Sequence, residues 1–578
     1  MARVGPPAVA VSDLTLGGRL HLGGPVRAHR RTGRRRVVVV ISTVIAVTLL
    51  LPLLLLALDA RSAGWTEIHR VLFRRESFVL LRNTVELSAL VVTLAVVIGT
   101  ATAWATERTG LPARRVWTVL VVLPVAIPDF VVGYAWHTIA PSADGLLAAT
   151  LVMTLGTAPL VYLPVAAALR RADPAMEETA RSLGTGGLAT FVRVTLPLIR
   201  TAVLGGAVLV VLTVISEYGA FEILRFQTFT TEIFTEFQFD PQAAGALSVP
   251  LVCLGLLVLG VDGIVPRRAT PRSAPRRSAP RRRIAWTTIP MTAGLAGLVV
   301  LSVGVPIGTL VYWMERAQHS TLPAVATLGP ATWTTLRYSG LGAAVAVVLA
   351  LPVAMMTFRR TSTPRFVVER ATFVTQALPG VVIALALVFL ATHYFYGLYQ
   401  TSTLLVAAYA VLHFPLALVC VKTSVAQAPA RLADVGQSLG RGPVEVFFRV
   451  TLPLLVPGLL AGFCLVFLTA VTELTATLVL APIGVQTLAT QFWAFQSEGS
   501  YGAAAPYALI IVALAAIPGA VLGIWFDRER HEHRDRHTER TANTGHTVGP
   551  ECTVGTVGTV GTVGTVGTVG TKHAELAV

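Results

Sequence analysis

The chain has 578 residues, a formal net charge of +16, 54% hydrophobic residues and only 13% charged ones, with a mean hydropathy of +0.69. An average soluble domain carries about 25% charged residues, so this composition excludes a soluble globular protein and defines a polytopic membrane protein. The only lysines are Lys422, after Val421, and Lys572, after Thr571, so no Gly-Lys-Ser/Thr phosphate-binding loop can be written anywhere in the chain.

In chain order, a basic segment at 1–36 precedes a run without charge from Val37 to Leu58. That run is long enough to cross a hydrocarbon core of about 30 Å. It also exceeds the roughly 7–15 apolar residues of a signal peptide, so it reads as a membrane anchor. A second run covers Leu87 to Thr106, and others centre near Val121, Val152, Val208 and Val252. Six more centre near Val299, Val347, Ile383, Ala407, Leu465 and Val512. The expectation is an all-α polytopic membrane protein with about 12 transmembrane helices in two homologous six-helix halves, 37–264 and 284–526. Prolines interrupt several runs, as at Pro124, Pro128 and Pro379, and helices in a bundle tolerate them when neighbours satisfy the freed backbone groups.

Between the halves, 265–283 is a Pro/Ser/Arg stretch unable to bury a core, which reads as a cytoplasmic linker at a fusion seam. The tail at 527–578 contains TVG repeated six times from Thr553 to Gly570 and reads as disordered. If the spans alternate, most arginine clusters fall on one side, including those at 30–36, 108–115, 170–193 and 431–449. Arg61, Arg70, Arg74, Arg75 and Arg82 are the exception. The bias places both termini in the cytoplasm of a bacterial cell and accounts for the net charge without a nucleic-acid partner. Cys253, Cys420, Cys464 and Cys552 show no paired spacing, and the stretch HEHRDRH from His531 reads as a solvated tail with no metal site.

The strongest internal signal is a repeat at an offset of 256 residues. SLGTGGLATFVRVTLPL from Ser182 and SLGRGPVEVFFRVTLPL from Ser438 share 11 of 17 residues, and the register continues through Gly206/Gly462 to Glu217/Glu473. Each copy is a polar loop between apolar runs. In the first, Glu178 to Gly184 reads as a short helix ended by glycine, lying along the membrane, and Leu196-Pro197 as the restart of a membrane helix. Lacking a P-loop, the chain needs any ATPase to be a separate polypeptide gripped through such loops.

Glu178-Thr179-Ala180, then Gly184, then Val194-Thr195-Leu196-Pro197 resembles the EAA loop of ABC-importer permeases. The second copy departs at its start, with Asp434-Val435-Gly436, but keeps Gly440, Val450, Leu452 and Pro453. The resemblance spans nearly all of 37–526, with EAA-like loops at 177–197 and 433–453. It implies coupling helices that dock on two copies of an ABC ATPase through Glu178, Ala180, Gly184 and Pro197 and through Asp434, Gly440 and Pro453. It also implies an extracytoplasmic substrate-binding protein as partner. A permease of this kind is no enzyme and carries no cofactor. The segments Ala126 to Trp136, Val214 to Phe234 and Leu468 to Trp493 are similar to fused ferric-iron permeases. Thiamine, polyamine, phosphonate and sulfate permeases share the architecture.

The aligned Glu217 and Glu473 follow the spans after the loops, and intramembrane acids are by default functional-site candidates. They are the expected pathway residues, with Glu86 and Asp129 behind them. An interfacial, solvated role is the alternative for both. An ion-gradient-driven transporter of twelve spans is the rival to an ABC permease. Its support is the sequence from Glu107 to Arg115, but the corresponding second-half loop lacks the glycine pattern. A membrane scaffold is a further class, which paired loops do not favour.

Overall fold

The computed structural model describes residues 26–264, 285–317, 323, 325–358 and 363–519. The linker at 265–283, the His-rich stretch, Cys552, Lys572 and the TVG tail lie outside the described residues. Among the described residues, every regular element is helical. Ten helices are long and apolar enough to cross a membrane: Val37–Leu58, Arg75–Arg108, Leu146–Arg171, Gly187–Ser216, Pro241–Gly260, Ile289–Arg316, Ala326–Met356, Ser402–Gln427, Pro443–Val471 and Tyr501–Gly519.

The other two apolar runs are broken. Arg114–Ala126 and Asp129–Ile139 meet at 91°, and Val368–Gln376 and Gly380–His393 at 109°. Proline sets the first break: Pro128 forces the preceding Ile127 into extended backbone (φ −99°, ψ 116°) and itself takes ψ 142° before the chain re-enters a helix. Pro379 takes the same conformation, ψ 150°, before the second.

Each broken run nevertheless crosses the bilayer. Gly99 lies against Ala158 and Tyr162, and farther along Arg108 donates to the Ala172 carbonyl at 3.3 Å. Arg75–Arg108 and Leu146–Arg171 are therefore parallel, and the chain joining two parallel spans must return across the membrane between them. Tyr338 with Ser402 (2.6 Å) and Gly342 with Tyr409 establish the same relation between Ala326–Met356 and Ser402–Gln427. Twelve crossings follow, six per half.

Small residues set the close approaches, as expected where no hydrophobic force separates helix from lipid. A Cβ on Gly99 would lie 2.8 Å from the Ala158 carbonyl oxygen, one on Gly206 2.8 Å from Val161 Cα, and one on Gly342 2.7 Å from Tyr409 Cβ.

The opening spans are exchanged between the halves. Ile45, Ala46 and Leu49 pack into a core with Ala343, Ala346, Val347 and Ala371 of the second half, and Thr375 donates to the Leu49 carbonyl at 3.1 Å. Conversely, Leu295, Val303 and Leu310 share a core with Val121, Val131 and Val152 of the first half.

The first two helices run past their apolar cores. The first helix runs from Val26 to Leu72, interrupted only at Gly64, and the second begins at Arg75, twelve residues before the apolar run that marks it. Apolarity registers the hydrocarbon core, whereas a helix continues into the interface for as long as its backbone bonds are made. The exceptional arginines lie on these extensions, and carboxylates offset two of them: Arg74 pairs with Glu236 at 3.5 Å and Arg82 with Glu86 at 3.4 Å.

Candidate functional site: two repeated loops and three carboxylates

The sequence repeat is also a repeat of hydrogen bonds. In the first loop, helix Ala175–Ser182 ends with Gly184 N–H donating to Arg181 O (2.9 Å) and Thr185 N–H to Ala180 O (3.2 Å). In the second, Ala430–Ser438 ends with Gly440 N–H donating to Gln437 O (3.1 Å) and Arg441 N–H to Gly436 O (3.2 Å). Both glycines are left-handed, with φ of +84° and +83°, which is why glycine stands at both places.

The turn projects Leu183 and Leu439, 79% and 77% exposed, the same leucine of the repeat in each copy. Leu188 and Val192 extend the exposed apolar surface of the first loop, and Val444 and Phe448 that of the second. Glu178 and Asp434 are exposed at the surface, and Ala180 is half-buried.

Pro197 and Pro453 do not restart a helix. The membrane helices begin at Gly187 and Pro443 and pass through a wide turn at Phe191–Thr195 and Phe447–Thr451, in which Leu196 N–H donates to Phe191 O and Leu452 N–H to Phe447 O. Proline has no N–H and its ring crowds the carbonyl four residues back. Widening the preceding turn to i→i+5 bonding relieves that conflict and carries the helix through.

Glu177, beside the expected Glu178, has no sequence signal and is the more constrained residue. It is 4% exposed, ion-paired with Arg108 at 3.1 Å and Arg181 at 3.5 Å, and it accepts from Thr195 Oγ1 at 3.1 Å. Next to Arg108, buried Glu107 pairs with Arg170 at 2.7 Å and with Arg114. At the offset of 256, Ala433 stands where the first loop has Glu177. The second loop instead carries Glu445 between Arg441 and Arg449 on its surface.

At the other end of the same membrane helices, Glu217 accepts the Ala220 N–H at 2.9 Å and Glu473 the Ala476 N–H at 2.9 Å. Each carboxylate thus caps a short helix, Gly219–Ile223 and Thr475–Leu480. Threonine boxes follow in both halves, Thr228 with Thr231 and Thr487 with Thr490. A threonine of another span receives the next N–H: Thr84 Oγ1 from Phe229 and Thr335 Oγ1 from Leu488.

Glu217, Glu473 and Asp129 are all half-buried. Glu217 lies within electrostatic reach of both others. The segments that bear them pack directly on one another, since a Cβ on Gly219 would be 2.8 Å from both Leu474 and Phe130, and Tyr218 meets Trp493 at 5.4 Å between ring centroids. Asp129 rests on Gly156, where a Cβ would fall 2.2 Å from its Oδ1. Gly156 is ten residues into Leu146–Arg171, about 15 Å at 1.5 Å per residue, so Asp129 sits near mid-membrane. Its counterpart after Pro379 is Gly380, whose Cβ would lie 3.4 Å from Glu473 Oε1. Glu86 is not brought to this place; its side chain is held by Arg82. Among the described residues, no three His, Cys, Asp or Glu side chains converge closely enough to hold a metal ion.

Duplicated loops and a broken span in each half are features of a transport protein. The family described as "Binding-protein-dependent transport system inner membrane component" matches the chain twice, over residues 95–270 and 342–529, and the chain belongs to it as a multi-span permease. Among its relatives, the Fe(3+)-transport system permease protein FbpB 2 of Haemophilus influenzae is 34% identical, over 81% of this chain and 94% of its own length. The ferric transport system permease protein FbpB of Actinobacillus pleuropneumoniae is 20% identical, over 79% of this chain and 73% of its own. A probable molybdenum ABC transporter permease protein of Haloferax volcanii is 31% identical, over 40% of this chain and 87% of its own.

Proposed function

We propose that the chain forms the transmembrane pathway of an ATP-driven ferric-iron importer, supplied by an extracytoplasmic binding protein and powered by two copies of a separate ABC ATPase. The observation that carries the reading is the pair of loops built to one geometry, each presenting an exposed leucine at a left-handed turn. Two like knobs suit two like sockets. Glu178, Ala180, Gly184 and Pro197, and Asp434, Gly440 and Pro453, form and shape the docking surfaces, with Leu183 and Leu439 as their apolar tips. The loops and both termini face the cytoplasm, where ATP is and where the arginines cluster. Segments 1–36, 265–283 and 527–578 are then cytoplasmic appendages to halves 37–264 and 284–526.

The choice of iron rests on the two ferric relatives and on the charge of the pathway. Asp129, Glu217 and Glu473 offer carboxylate oxygens, which suit a hard cation in transit. The same negative field repels an oxyanion such as sulfate or molybdate. Transport then proceeds by alternating access. The loaded binding protein docks, ATP draws the ATPase dimer together, and the loops move as a pair. The contacts of Gly219 with Leu474 and Phe130 part to open the pathway outward.

The test is uptake of radiolabelled iron in a deletion strain, with thiamine, sulfate and polyamine uptake measured beside it. Loss confined to iron is expected. Normal iron uptake with lost thiamine uptake overturns the substrate, and normal uptake of everything after removal of the partner ATPase overturns the mechanism.

A further inference from the structure

The two loops share their turn but not their attachment to the bundle. Glu177 is buried on the inner side of the first short helix, and its two oxygens are divided among Arg108, Arg181 and Thr195. Arg108 is the last residue of the parallel span Arg75–Arg108 and also holds the Ala172 carbonyl at the root of the loop. Its neighbour Glu107 grips Arg170 on one side and Arg114 on the other. Arg114 begins the broken span, Asp129 and Phe130 open its second segment, and Phe130 packs on Gly219. One continuous set of ion pairs and packed side chains thus leads from the loop to the mid-membrane acids. In the second half Ala433 offers no carboxylate at the place of Glu177, and Gln437 replaces Arg181.

We propose that Glu177 is a positioning residue: its pairing with Arg108 clamps the first loop to the bundle, so that ATP-driven motion of that loop reaches the broken span 114–139 and its Asp129. The second loop has Ala433 at the place of Glu177, and its broken span is tied instead to Ser402–Gln427, through Lys422 and Glu369 at 2.6 Å. The proposal rests on the loops being the ATPase-docking elements. Arg108 and Glu107 are then more than a cytoplasmic charge cluster, because they are the joint at which a push on the loop becomes a tilt of a span. Burial favours this role, since an ion pair shielded from water keeps its strength where a surface pair is screened. Coupling is demonstrated only by an element whose equilibrium both ends bias, and the experiment is chosen on that basis.

The complete transporter, with its ATPase and binding protein, is reconstituted in proteoliposomes, and iron uptake and ATP hydrolysis are measured together. Glu177→Gln keeps the hydrogen bond from Thr195 but removes the charge that Arg108 requires. It is expected to leave the complex assembled and hydrolysing ATP while lowering iron taken up per ATP by about tenfold, within the 5- to 150-fold range of allosteric couplings. The exchange Glu177→Arg with Arg108→Glu restores the pair in reverse and is expected to recover most of that ratio. An unchanged ratio in Glu177→Gln, a complex that fails to assemble, or an assembled exchange variant with no recovery each overturns the proposal. Leu183→Asp with Leu439→Asp tests the docking reading separately: if that variant still binds the ATPase, the docking assignment falls, whatever Glu177 does.

Discussion

The first and second loops have the same shape for the same reason and are secured in different ways. Glycine at 184 and 440 produces the same left-handed turn, and the same hydrogen bonds close it. Beneath that turn the first loop is held by a buried ion-pair set around Glu177, whereas the second has Ala433 below and an exposed Arg441–Glu445–Arg449 triplet on top. Both halves share the shape, and the buried ion pairs around Glu177 belong to the first. A docking surface needs the shape, since the partner reads the outside. Transmission depends on what lies beneath.

The largest expected effect tests the shared part. Gly184→Val and Gly440→Val each place a β-branched residue at φ near +84°, at a cost of about 1–2 kcal/mol or more, and deform the tip that carries the leucine. Both are expected to abolish substrate-stimulated uptake with membrane insertion intact, read by uptake and membrane-fraction blotting. Normal uptake in either removes that loop from the coupling assignment. Next come the tips themselves: Leu183→Asp and Leu439→Asp are each expected to weaken ATPase co-purification by about tenfold, the equivalent of about 1.4 kcal/mol.

Smaller effects probe the difference. Glu178→Ala and Asp434→Ala should lower uptake unequally, because the first acts on a clamped helix and the second on one free to adjust. Equal losses would count against the asymmetry. The smallest expected effect is Glu445→Ala, which removes two exposed i,i+4 pairs worth about 0.3–0.5 kcal/mol each and should leave uptake within twofold in a transport assay.

Much of this was legible in the chain. Twelve apolar runs announced twelve crossings, because the requirement to cross a hydrocarbon core is written in local composition. The repeat announced the paired turns down to Gly184 and Gly440, because a left-handed turn needs glycine. Leu183 and Leu439 stood in the repeat as identical residues, and their exposure on a polar loop was the signal available for a docking tip. Glu177 had none, since its partner Arg108 lies 69 residues earlier and only the parallel packing of two spans brings them together. The place of Asp129 was hidden for a similar reason: its seat is Gly156, a position with no side chain to advertise it. The wide turns before Pro197 and Pro453 were hidden too, because a proline after a loop reads equally well as the start of a helix or as a strained point within one.

The exchanged opening spans bear on biogenesis. Val37–Leu58 packs partly on the first-half helix Pro241–Ile264 and partly on second-half helices that begin at Ala326, about 270 residues later. At roughly 5–20 residues per second, that is on the order of 15–55 seconds during which the span waits in lipid or beside the insertion machinery with part of its seat unmade. Synthesis of the second half is therefore a condition for completing the first, and a chain truncated before it carries one partly seated helix. Joining both halves in a single polypeptide guarantees that the missing seat arrives on the same ribosome, in the same membrane and in equal number.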